Sequence, residues 1–127
     1  MSETKRLKGE VKIMLDKLSY SQLTELLQKT IDLKYGKKNI VDIYNPYDLI
    51  EVLDDTELRC CEIFNIRDDY HPEVTIRLFS EGDPSNHIYL HYNGSWNEIT
   101  NECEWDNPTK IEQVEIKRTE WRPVKWD

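Results

Sequence analysis

Two periodicities divide this chain. Up to about residue 55 the apolar side chains recur every three or four positions, and beyond it they alternate. Leu7, Val11, Met14, Leu15 and Leu18 form one stripe of an amphipathic helix. A second helix is better marked. Ser19 and Gln22 make a capping-box pair, with Leu18 and Leu23 placed as a hydrophobic staple around the cap. Its apolar face is Leu23, Leu26, Leu27, Ile31 and Tyr35. Gly36 supplies a left-handed stop, and Lys34, Lys37 and Lys38 sit where the helix dipole favours cations. Ile40–Tyr44 reads as a connector or brief strand. Asn45-Pro46 then caps a third helix, with Asp48 in its first turn, running to about Leu53 and stopping near Asp54-Asp55.

From Glu57 the spacing shortens. Leu58, Cys60, Phe64 and Ile66 lie at even intervals broken by Glu62, which suggests a strand, with a helix capped by Asp55 as the alternative for residues 57–67. Val74, Ile76 and Leu78 alternate with Thr75, Arg77 and Phe79. A polar turn from Ser80 to Asn86 separates them from Ile88, Leu90 and Tyr92, which alternate with His87, Tyr89 and His91. Asn93-Gly94 is a strong two-residue hairpin signal, because both central residues of such a turn take positive φ. Ser95–Ile99 is therefore expected to return antiparallel, and Ile111–Trp121 to form a last strand carrying Val114 and Ile116.

Helices first and strands afterwards predict an α+β fold. The N-terminal helices pack on one face of a four- to five-stranded antiparallel meander sheet, in a single domain over 1–127 (1–55 mainly helical, 56–127 mainly sheet). The opposite face would carry Thr75, Arg77, His87, Tyr89, His91 and Trp96 or its neighbours, and would be wet or form an interface, with a homodimer through it left open. An apolar fraction of 38% and a charged fraction of 33% imply a thin core under a charged surface. Thirteen aromatics argue against disorder. No apolar run resembles a signal peptide or a membrane span. Three cysteines, with Cys60 and Cys61 adjacent, suit a reducing cytoplasm better than a disulfide framework.

Charge changes the picture most. Residues 1–38 carry a net +4, residues 39–109 a net −13 and residues 110–127 a net +1, within a total of −8. The middle block holds sixteen acids against Arg59, Arg67 and Arg77. Such a stretch repels nucleic acid and anionic membrane and attracts basic partners. Direct nucleic-acid binding would require a Lys/Arg cluster that displaces counterions. Only Lys5, Arg6, Lys8 and Lys12 offer one.

Motifs for chemistry are weak. His87 and His91, four apart on a strand, stand roughly 13 Å from each other at about 3.3 Å per residue, and Tyr89 occupies the position a chelate would need. Cys60-Cys61 lacks zinc-knuckle spacing. Ser85 and His87 straddle a turn without an oxyanion nest. Glu115-Ile116-Lys117, with Asp106 upstream, matches half of a metal-dependent nuclease core, but alternating charges on a solvent-facing strand explain it better. The sequence therefore implies no metal, no cofactor and no catalysis.

What remains is the acidic block. Glu51, Asp54, Asp55, Glu57, Asp68, Asp69, Glu73, Glu102, Glu104 and Asp106 fall mainly at helix ends and loops, where they sum into one field if the loops share an end of the sheet. Trp96 and Trp105, with Tyr70 and Tyr92 nearby, supply aromatic anchors. In its charge, its element order and its Tyr92-Asn93-Gly94 element, the chain resembles small acidic phage-encoded inhibitors of host defence, of the anti-CRISPR and antirestriction type. That resemblance implies a non-catalytic protein, acting in the host cytoplasm, that imitates phosphates and occupies the basic groove of a nucleic-acid-handling protein. The alternatives are an immunity protein against a basic nuclease toxin and a general interaction module, with an enzyme third.

Overall fold

The computed structural model describes residues 13–36, 43–115 and 119–126. Its elements are a 3₁₀ turn (Leu15–Lys17), helices α1 (Tyr20–Tyr35) and α2 (Pro46–Val52), and strands β1 (Leu58–Ile66), β2 (Glu73–Ser80), β3 (Asp83–Asn97), β4 (Glu102–Trp105), β5 (Thr109–Glu115) and β6 (Thr119–Pro123). The fold is α+β, with helices preceding strands. The antiparallel sheet has six strands rather than four or five, in the order β1-β2-β3-β5-β6 with β4 also paired to β3.

Both helices begin as their caps dictate. The Ser19 hydroxyl accepts from the Gln22 amide while the Gln22 side chain accepts from the Ser19 amide, and Gly36 ends α1 at φ 77°. The Asn45 side chain accepts from the amides of Tyr47 and Asp48, with Pro46 opening α2. The stripe ending at Leu18 gives a single 3₁₀ turn where it is described, and Leu7 and Val11 lie outside the described residues. An α-helix cannot continue through Leu18 because Ser19 already caps α1. The side chain of Asn86 also holds this segment, accepting from the Leu15 amide at 2.9 Å and donating to the Ile13 carbonyl at 2.7 Å. The Lys110 ammonium, on a residue only 4% exposed, donates to the Asp16 carbonyl at 3.1 Å.

One face of the sheet packs under the helices. Val74, Ile76, Leu78, Leu90 and Tyr92 join Leu23, Leu27 and Ile31 of α1, Leu49 of α2, and Leu15 in one buried cluster. Tyr92 is fully buried rather than an interface anchor, and its hydroxyl donates to the Ile43 carbonyl.

Residues 57–67 resolve as a strand from Leu58, and the break in their alternation has a cause. A β-bulge between Glu62 and Phe64 shifts the register, so Cys60 pairs with Leu78 whereas Phe64 pairs with Thr75. Leu58 and Cys60 thus face the helices, and Phe64 and Ile66 face the opposite side. That side carries Thr75, Arg77, His87, Tyr89 and His91 as expected and, of Trp96 and its neighbours, Ser95. It is partly covered. Phe64 on β1 and Trp121 on β6 stand 6.3 Å apart between ring centroids, and Trp121 meets Tyr89 at 4.6 Å. Four strand spacings of roughly 4.8 Å would separate those strands on a flat sheet, so the sheet curls toward this face.

Asn93-Gly94 is not a turn. β3 runs straight through it, and neither residue takes positive φ. The Gly94 and Trp96 amides donate to the carbonyls of Pro72 and Tyr70 at 2.8 and 2.9 Å, and the other side of β3 pairs Gly94 with Trp105. The hairpin forms four residues later. The Asn97 side chain accepts from the amides of Ile99 and Thr100, and Asn101 takes the left-handed φ of 60°. Gly94 is needed for proximity. A Cβ there would stand 2.7 Å from Cys103 Sγ and 2.9 Å from a Trp105 ring carbon. The expected last strand, Ile111–Trp121, is divided into β5 and β6.

Two stability measurements check this packing. Leu27→Ala should cost about 2–5 kcal/mol in denaturant unfolding, the range for emptying a core position. Gly94→Ala should cost about 1 kcal/mol or more by overpacking, whereas Gly82→Ala, whose Cβ meets nothing within 4 Å, should stay within about 0.5 kcal/mol. Adding Cys103→Ala to Gly94→Ala should recover part of that loss, a coupling that a purely backbone effect would lack.

Candidate acidic protein-binding surface

The β1–β2 and β3–β4 connections lie at one end of the sheet and the β2–β3 connection at the other, and they divide the acidic residues into two poles. Glu51 in the last turn of α2 and Asp54, Asp55 and Glu57 between α2 and the start of β1 lie beside Glu81 of the β2–β3 turn. Asp68, Asp69 and Glu73 lie at the opposite end, where the β1–β2 connection runs alongside the β3–β4 arm with its Glu98, Glu102, Glu104 and Asp106. The eight residues of β2 span the gap, roughly 23 Å at about 3.3 Å per residue. The single field expected from the sequence is therefore two fields.

The poles differ in how far they are neutralised. At the first, the Arg59 guanidinium reaches Glu81 at 3.2 Å and Asp55 at 3.6 Å, and the Lys34 ammonium donates to the Asp54 carbonyl. At the second, Arg67 lies in the β1–β2 connection, while the β3–β4 arm has no cation of its own, since no Lys or Arg occurs between Arg77 and Lys110. Some of its acids are structural. Asp68 accepts from the amides of Tyr70 and His71, both at 2.9 Å, and those hydrogen bonds hold its carboxyl below the usual value of 3.8. Glu73 binds His91 at 2.9 Å, and one Glu104 oxygen accepts from Asn97 at 2.9 Å. Asp69, Glu98, Glu102 and Asp106 are exposed.

The aromatic residues also separate by role. Trp105 packs against the core, edge-on to Tyr92 at 6.3 Å and to Tyr47 at 6.1 Å. Trp96 is 37% exposed and Tyr70 56% exposed, and both line a groove of about 540 Å³ with Glu98, Ile99 and Glu104. Ile99, at the arm's tip, is 96% exposed. Sequence reading passed over it. An isoleucine inside an Asn- and Glu-rich connection, where nothing can cover it, was the available signal.

Candidate reactive groups are committed elsewhere. The Thr75 hydroxyl meets His91 Nδ1 at 2.7 Å, and His91 Nε2 meets Glu73 at 2.9 Å, which has the order of a hydroxyl–imidazole–carboxylate relay. Because a carboxylate only accepts, Nε2 carries the proton toward Glu73, and in the neutral imidazole Nδ1 then accepts from Thr75. Thr75 has no exposed surface, so its hydroxyl does not meet a substrate; the array ties β2 to β3. His87 lies against Arg77 and the Pro84 carbonyl. Burial, reinforced by Cys61, pushes the Cys60 thiol far above its usual range, and burial raises that of Cys103. Both stay protonated, and hence weak nucleophiles, at neutral pH. Among the described residues no group of three His, Cys, Asp or Glu side chains is placed to hold a metal ion, and no helix is long and apolar enough to cross a membrane.

Comparison with protein-family models, with curated proteins and with solved structures found no match.

Asp68→Asn retains the accepting side-chain oxygen but removes the titration. A carboxyl whose folded pKa is depressed contributes stability above its unfolded pKa and loses it as pH falls through the folded one. The stability difference between the native protein and this variant should thus be largest near neutrality. It should shrink below about pH 4 and vanish in stronger acid, as followed by urea midpoints across the acid range.

Proposed function

We propose that this protein is a non-catalytic acidic binding protein that occupies the basic groove of a nucleic-acid-handling protein of host defence in the cytoplasm, by imitating phosphates. The observation that carries this reading is the second pole. A projecting β3–β4 arm and the neighbouring β1–β2 connection present seven carboxylates, Asp68, Asp69, Glu73, Glu98, Glu102, Glu104 and Asp106, and the arm contains no Lys or Arg. Exposed Trp96, Tyr70 and Ile99 stand among them. Carboxylates supply long-range attraction to a cationic surface, and the apolar side chains supply the desolvated contacts that hold a complex once formed. The first pole, tied internally by Arg59, contributes to the field over the molecule more than to contact.

The partner is identified by capture from host lysate and mass spectrometry, and binding is then measured with the purified pair. Affinity should fall steeply with added salt, chiefly through the association rate, since exposed charges are screened beyond about 8 Å at physiological ionic strength. Nucleic acid should displace this protein. Neutralising Glu98, Glu102 and Glu104 together should weaken binding more than neutralising Asp54, Asp55 and Glu57. A stable ternary complex with nucleic acid, or binding indifferent to salt, would overturn phosphate mimicry.

A further inference from the structure

Among the described residues, every aromatic side chain but two meets another ring or a cation. Tyr35 lies beneath Lys34, Phe79 beneath Arg77, and the remaining nine contact one another or His91. The two exceptions, Tyr70 and Trp96, line the same groove. The Trp96 amide donates to the Tyr70 carbonyl at 2.9 Å, which sets their backbones side by side where β3 runs past the β1–β2 connection. Both rings remain substantially exposed, at 56% and 37%. Glu98 and Glu104 share the lining, and neither takes part in an ion pair among the described residues. Among the described residues no Lys or Arg lines the groove.

We infer that this groove is a receptor for one arginine side chain of the partner. Its guanidinium would lie against the faces of Trp96 and Tyr70, with its N–H groups directed to Glu98 and to the Glu104 oxygen that Asn97 leaves open. The chemistry favours this occupant. An aromatic face attracts a cation through its negative quadrupole, and a flat guanidinium stacks on it while donating in its own plane. Carboxylates at the rim accept those donors as charge-assisted hydrogen bonds. An uncharged apolar side chain would leave both carboxylates to be desolvated without a partner. A lysine ammonium would satisfy the charge without stacking, so it should bind, and less well. Ile99, at the outer rim, would meet the residue flanking the arginine. This inference rests on the acidic-binder reading and assigns that reading's anchor point.

The test uses the full-length ¹⁵N-labelled chain and three blocked tripeptides: acetyl-Gly-Arg-Gly-amide, its lysine analogue and its uncharged citrulline analogue. The arginine peptide should shift the Trp96 indole N–H and the Ile99 amide saturably, the lysine peptide more weakly, and the citrulline peptide not at all. Trp96→Leu, and separately Glu98→Gln with Glu104→Gln, should each weaken arginine binding by about fivefold or more. Glu25→Gln, exposed on α1 away from both poles, should leave it unchanged. Unaltered amide spectra away from the groove show that each variant folds. Equal binding of the citrulline peptide, shifts confined to other surfaces, or undiminished binding by folded Trp96→Leu would overturn the inference. Hexa-arginine separates the two levels. If it binds in a salt-dependent way but away from Trp96, the groove is wrong and the acidic-binder reading stands. If it binds nowhere, both fall.

Discussion

Backbone pairing along both sides of β3 is the constraint from which the rest follows. Toward β1 it bonds first to β2 and then, beyond Asn93, to the carbonyls of Pro72 and Tyr70; on its other side it bonds to β5 and β4 in succession. The Asp106 amide donates to Asn93 between those two, at 2.9 Å. A strand supported this way has no reason to turn at a residue pair that otherwise favours turning. Its first part lies under the helices and carries the core, and its last part projects past them and carries the arm. Gly94 marks the passage between the two, because Cys103, Trp105 and Pro72 all close on the space a side chain would need.

Buried polar side chains bind the periphery to that strand. Asn86 donates to and accepts from the chain at Ile13 and Leu15, Lys110 holds the Asp16 carbonyl beside the Trp126 ring, and Tyr92 reaches Ile43. Each of these hydrogen bonds joins segments more than forty residues apart. A buried polar group left without its partner costs more than the bond contributes when made, so such contacts act on specificity as much as on stability. The curl of the sheet has a similar origin. The β1 bulge transfers Phe64 to the face where Trp121, Tyr89 and His91 gather, and the two edge strands are drawn together by their rings.

Charge and topology combine at the projecting arm. The acids concentrated in residues 39–109 are distributed by the alternation of strand connections, so each end of the sheet receives a share. In one share Arg59 pairs with Asp55 and Glu81. The other meets no comparable cation along the arm, and it surrounds the two aromatic rings that no other ring or cation among the described residues covers.

Local signals were legible wherever a few adjacent residues decide the outcome. The Ser19 capping box, the Asn45-Pro46 start, the Gly36 stop and the alternation of Val74–Leu78 and Ile88–Tyr92 are satisfied within one turn or one strand pair, and all stand in the structure. Helices ahead of strands sufficed for the α+β class, and the charge count alone made the acidic block visible. Tertiary structure decided what depends on distant partners. Asn93-Gly94 has the local preferences of a turn, but Pro72, Tyr70 and Trp105 hold it extended, because hydrogen bonds on both sides of a strand outweigh the preference of two residues. Phe64 changes face through a bulge that alternation registers only as an interruption. Trp96 and Trp105 read alike in the sequence; pairing put one in a groove and the other on the core. The division of the acids into two poles required strand lengths and turn positions, which long-range register sets and composition does not encode.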